Sequence, residues 1–122
     1  MAKKEVNEKI EPIILTDTET GEKFTLEFSR ESVVFTNRQG FKLNEAGNNS
    51  MEMLPILFYG AFRMHHKNIS RQRTDKILFE DLGGLSSAAV ERLMMLYNAP
   101  HSALIHDEED EYSKNSKMTV EL

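Results

Sequence analysis

A chain of 122 residues has room for one compact domain with a sizeable core, and the absence of cysteine removes disulfide scaffolds, zinc fingers and thiol nucleophiles. The formal net charge of −5 is concentrated in one run, because Asp107, Glu108, Glu109, Asp110 and Glu111 account for the whole excess. The longest apolar stretch, residues 53–64, is interrupted by Pro55, Gly60 and Arg63 and is too short to cross a bilayer.

Residues 1–11 are mostly charged or polar and are expected to fray. They lack the apolar stretch of a secretory signal, so the chain reads as cytoplasmic, with no membrane partner. Pro12, Ile13, Ile14, Leu15 and Thr16 suit a pleated surface and predict a strand. Turn residues follow, with Gly21 free to take a positive φ. Phe24, Leu26 and Phe28 then alternate with Lys23, Thr25 and Glu27, which predicts a half-buried antiparallel hairpin. An isolated hairpin is marginal in water, so its apolar face must lie on something else.

Helices supply that surface. Ser29 is placed to cap the first, with Glu31 in its opening turn and Gly40 at its end. Val33, Val34, Phe35 and Phe41 are its expected apolar contribution. Residues 43–49 read as a surface loop. Leu54, Leu57, Phe58, Ala61, Phe62 and His65 then recur at helical spacing, and their neighbours widen the stripe until most of the circumference is apolar. This predicts the central buried helix, with Pro55 tolerated in its first turn and Gly60 beside Ala61 admitting a close neighbour. Ser70 caps a third helix carrying Thr74, Ile77, Leu78 and Leu82 on one face, stopped by Gly83 and Gly84. Ser86 or Ser87 opens a fourth, with Ala89, Leu93, Leu96 and Tyr97 in register and Pro100 ending it. The fold class is therefore α+β: an N-terminal β-hairpin packed on a cluster of about four α-helices. A single folded domain is expected over residues 12–105. A disordered or weakly ordered acidic C-terminal tail, residues 106–122, follows it, because five adjacent like charges repel and stay solvated. Within that tail Met118, Thr119 and Val120 form a strand-like piece with no assigned role.

Chemistry-bearing constellations are sparse. His65 and His66 are adjacent, about 100° apart on a helix, and His101 and His106 are five apart, so neither pair suits one metal ion. His65 reads as a histidine at the margin of the core. The serines fall at caps, and Gly83 with Gly84 lacks the lysine of a phosphate loop. The expectation is a non-enzyme with no catalytic, metal or cofactor residues. Arg63, Lys67, Arg71, Arg73 and Lys76 make a basic stretch with Asp75 the single acid among them. It is either a solvated junction, a contact for an acidic tail from a neighbouring copy, or a phosphate site centred on Arg71 and Arg73. Nucleic acid is the weaker reading, for want of interleaved aromatics and excess positive charge. Met94 and Met95 beside Tyr97 either fill the core or line a groove for a partner helix. The acidic run Asp107, Glu108, Glu109, Asp110 and Glu111 either solvates the domain or meets a basic partner.

The order of features carries a resemblance. A hairpin precedes Phe28-Ser29-Arg30-Glu31-Ser32-Val33, then Gln39-Gly40-Phe41. Next come Met53-Leu54-Pro55-Ile56-Leu57-Phe58-Tyr59-Gly60-Ala61-Phe62, and Leu96-Tyr97-Asn98-Ala99-Pro100 before the acidic stretch. Over roughly residues 12–121, including Lys114 and Asn115, this resembles the tail assembly chaperones of long-tailed (siphovirus-type) phages and prophages of Gram-positive bacteria. The resemblance implies a protein needed to build the tail, acting in the host cytoplasm and absent from the mature virion. It further implies that the chain coats the tape measure protein and helps recruit major tail tube protein subunits, and that a longer frameshifted form accompanies the short one. The acidic run would limit premature self-association or engage a basic partner. An acidic protein-binding module, inhibitor-like or antitoxin-like, is the alternative, and a small nucleic-acid binder is the more distant one.

Overall fold

The structure, a computed structural model, describes residues 9–104 and 117–122. The expected domain end at Ile105 and the acidic run 107–111 lie outside the described residues. The architecture is α+β, an antiparallel hairpin laid on four helices.

Strands β1 (Ile13–Thr16) and β2 (Lys23–Leu26) pair with Ile13 opposite Leu26 and Leu15 opposite Phe24. Their turn is closed by the Asp17 carboxylate, which accepts the N–H groups of Glu19 and Thr20 at 2.8 and 3.1 Å, and by Gly21 at φ 80°. Phe24, Leu26 and Phe28 are buried, as the alternation predicts. The Asp17 N–H donates to the Glu22 carbonyl at 2.8 Å, which fixes the pairing so that Thr25 and Glu27 aim their backbone away from β1. Those outward groups are met: the Thr25 N–H donates to His66 Nε2 at 3.0 Å and the Glu27 N–H to the Ala61 carbonyl at 3.0 Å. One edge of the hairpin is thus sealed by the end of a helix. Ahead of β1, Ile10 packs against the core and Lys9 pairs with Glu27 at 3.3 Å, within the stretch expected to fray.

Helix α1 (Arg30–Arg38) begins at Ser29, whose hydroxyl accepts the Ser32 N–H while the Ser32 hydroxyl accepts the Ser29 N–H. This reciprocal cap satisfies two backbone donors that a helix start leaves free. The buried face differs from the predicted one. Val33 is inside, but Val34 is 46% exposed, and the innermost residues are Ser32 and Thr36. The reason is the crossing with the central helix α2 (Ser50–Phe62): a Cβ added at Gly60 would lie 1.8 Å from Thr36 Oγ1. Only small side chains fit there. The Thr36 hydroxyl is satisfied by donating to the Ser32 carbonyl at 2.7 Å, so burying it carries no unpaired polar group.

Met53, Leu57, Phe58, Ala61 and Phe62 of α2 fill the centre, with Phe62 edge-on to Phe24 and to Phe58. Pro55 sits further inside the helix than expected, beyond its first turn. It removes the N–H that would meet the Met51 carbonyl, and Met51 is exposed, so water can take that acceptor. The helix stops at Phe62, which leaves His65 in the turn beyond it, exposed, and not on the buried stripe.

Helix α3 (Arg71–Lys76) is capped by Ser70, whose hydroxyl accepts the Arg73 N–H at 3.1 Å. It runs into a π-helical turn, Ile77–Asp81, closed by the Leu82 N–H on the Ile77 carbonyl at 2.8 Å. The wider turn adds one residue and shifts the register. Thr74, Ile77 and Leu78 stay buried, while Leu82 leaves the face predicted for it and is exposed. Gly83 and Gly84, both at positive φ, stop the element. Helix α4 (Ser87–Asn98) starts from Ser86, buries Leu93, Leu96 and Tyr97, and passes at Pro100 into a 3-10 turn, Ala99–Ala103. Met118, Thr119 and Val120 are exposed and form no strand among the described residues.

Candidate partner-binding surface

Tyr97 ties the end of α4 to α1. Its hydroxyl donates to Asn37 Oδ1, and its ring lies edge-on to Phe28 and to Phe41 at centroid distances of 5.5 and 4.9 Å. Burial pushes the Tyr97 phenol above its ordinary value, so it stays a neutral donor. This anchor sets α1 beside the Ala99–Ala103 turn and leaves an open groove of about 540 Å³ between them. Val33, Val34, Pro100 and Leu104 line its apolar wall, while Arg30 and Asn37 are among its polar lining. Leu104 is 64% exposed and Val34 is half-exposed, so the groove is apolar surface open to solvent.

The residues expected to meet a partner fall into three groups. Tyr97 is buried and shapes the groove from behind. Met94 is half-buried against the core, which is the core-filling role, whereas Met95 is 45% exposed on the same helix. Arg71 and Arg73 are not free: Arg71 Nε meets Asp75 at 2.9 Å, and Arg73 Nη2 meets Glu22 at 3.1 Å while its guanidinium lies over Phe24. The third group, Asp107, Glu108, Glu109, Asp110 and Glu111, lies outside the described residues. The groove residues Val34, Pro100 and Leu104 were not singled out by sequence reasoning. A signal existed in the run Val33-Val34-Phe35, since three consecutive apolar residues span about 200° of a helix, more than a single core-facing stripe takes up.

Four of the five cations in the basic stretch are paired with carboxylates, Arg63 and Arg73 with partners distant in the chain. Besides the two pairs above, Arg63 meets Glu31 at 3.2 Å and Lys76 meets Asp81 at 3.0 Å. Lys67 alone of the five has no ion pair among the described residues. Exposed pairs of this kind add at most about 1 kcal/mol each to stability. Their effect on recognition is larger, because a phosphate would have to displace an internal carboxylate at each position.

The two histidines after α2 act on β2. His66 Nε2 accepts from Thr25, which requires a neutral ring, and burial together with the neighbouring His65 lowers its pKa below the ordinary 6.5. His65 Nε2 donates to Glu27 Oε1 at 2.9 Å, and this bond, aided by Lys9, holds the Glu27 carboxyl below its ordinary 4.5. Both shifts have one sign. The unfolded chain takes up the His66 proton first as pH falls below 6.5, and the Glu27 proton first below 4.5, so native stability drops through each window. Urea midpoints should therefore decline between pH 7.5 and pH 5.5, and His66→Gln should flatten that slope. An unchanged slope in the variant would remove His66 as its source.

Among the described residues, no group of three or more histidine, aspartate or glutamate side chains is arranged to hold a metal ion, and no helix is long and apolar enough to cross a membrane. No curated protein and no solved structure matches the chain. A family model matches residues 1–122, and the chain belongs to that family, described as Domain of unknown function (DUF5055).

Proposed function

We propose that the chain is a non-catalytic phage tail assembly chaperone of the host cytoplasm, which coats the tape measure protein and helps recruit major tail tube protein subunits. The observation that carries this reading is the solvent-open apolar groove between α1 and the Ala99–Ala103 turn. An amphipathic helix offers a row of apolar side chains at i, i+3, i+4 and i+7, which suits a groove of that kind. A tape measure protein is long and mostly helical, so bare apolar stripes along it would aggregate. Modest affinity per copy suits release during tube polymerisation, and many copies on one chain sustain coverage through avidity. The resemblance in residue order supports the same assignment. The internal pairing of Arg71 and Arg73 weighs against a phosphate-binding role.

The test is binding of the purified chain to a helical fragment of a siphovirus-type phage tape measure protein. Val34→Asp places a charge in the groove at an exposed helix position and should weaken binding about tenfold or more, near 1.4 kcal/mol. Replacing Asp107, Glu108, Glu109, Asp110 and Glu111 by their amides should leave most of the affinity. The reverse pattern, with binding lost on amidation and kept in Val34→Asp, would favour the acidic module instead.

A further inference from the structure

The hairpin has two edges, and among the described residues only one is closed. On β2 the outward backbone groups meet His66 and Ala61. On β1 the same pairing turns Ile14 and Thr16 outward, since Ile13 and Leu15 face Leu26 and Phe24 across the ladder. Pro12, next outward in that register, has no N–H, so the open edge presents the two donors of Ile14 and Thr16 with the carbonyls beside them. Among the described residues no side chain bonds to either donor. The side chains of Ile13 and Leu15 are only half-buried, at the core's margin beside that edge.

Residues 117–122 carry the complementary pattern. Met118, Val120 and Leu122 alternate with Thr119 and Glu121, the period of a strand with one apolar face, and all three apolar side chains are more than 80% exposed. We propose that this segment adds a third strand to the open edge of β1 in the same chain. Its apolar side chains then lie beside Ile13 and Leu15, and Thr119 and Glu121 lie on the solvent face with Ile14, Thr16 and Lys23. Backbone hydrogen bonds to an edge supply attachment, and alternate side chains set the face. Reach favours the same chain. Residues 105–116 separate Leu104 from Lys117 and can extend about 40 Å, further than the span of a domain whose radius of gyration is about 13 Å. The added strand covers the row of unpaired groups that otherwise templates edge-to-edge association.

Amide hydrogen exchange by NMR on the full chain tests this, with the double variant Thr119→Pro, Val120→Pro as the comparison, because one of two adjacent residues turns its N–H to β1 in either strand direction and proline removes that donor. Ile14 and Thr16 should exchange about tenfold or more slowly in the parent than in the double proline variant, with protection unchanged across protein concentration. The amides of Leu57 and Phe58 should match in both, which separates loss of the strand from loss of the fold. Equal rates at Ile14 and Thr16 would overturn the proposal. Protection that grows with concentration would also overturn it, since it would place the pairing between copies.

Discussion

Phe62→Ala is expected to remove about 4 kcal/mol of stability, the largest effect of any single truncation in this fold. Phe62 is fully buried, with Phe24 of the hairpin 5.6 Å away and Phe58 5.1 Å away between ring centroids. It also borders His66, the residue that holds the edge of β2. Truncation therefore opens a cavity at the junction of hairpin and helices, where neither side can collapse without moving the other. A domain of this size has about 5–15 kcal/mol in total, so the variant should lie close to unfolding at 37 °C. Urea denaturation followed by far-ultraviolet circular dichroism measures it. Met51→Ala, on the exposed side of the same helix, should stay within about 0.5 kcal/mol of the parent. Equal midpoints for Phe62→Ala and Met51→Ala would mean the core is not organised around this ring.

The second large effect reverses an ordinary rule. Glycine to alanine inside a helix normally stabilises by about 1 kcal/mol. At Gly60 the added methyl would sit 1.8 Å from Thr36 Oγ1 and 2.8 Å from its Cβ, so the helices must part or Thr36 must leave its bond to Ser32. We expect Gly60→Ala to destabilise by about 3 kcal/mol, at the upper end for overpacking. Adding Thr36→Ala should recover part of the loss and no more, because Cβ remains too close. That non-additivity is the diagnostic, since independent sites would sum. A Gly60→Ala variant as stable as the parent would show that α1 and α2 stand further apart.

Those two positions also mark how far the sequence was legible. Hairpin and central helix were readable because strict alternation at Phe24, Leu26 and Phe28 and the stripe through Leu57, Phe58 and Phe62 are each dictated by one element's own geometry. The caps at Ser29, Ser70 and Ser86 were readable for the same reason, since a cap is a local hydrogen bond. What escaped depends on partners distant in the chain. Thr36 looks like a solvent-facing residue until Gly60 is brought against it. The basic stretch looks like a free cationic face until Glu22 and Glu31 arrive to pair Arg73 and Arg63. Leu82 was misplaced because a π turn has no signature in residue type, only in the count of residues per turn. The groove was missed because its walls, α1 and the turn after α4, are some seventy residues apart in the chain, joined through Tyr97 and Asn37.

The bond from Thr25 to His66 links residues 41 apart in the chain. A hairpin too weak to persist by itself must wait for that closure, so its formation belongs to the same kinetic event as the docking of α2. Folding should then be paced by bringing two remote segments together and not by the quick winding of individual helices. Mutations at this seam would slow the approach to the native state, whereas changes on the far helices would chiefly hasten its loss.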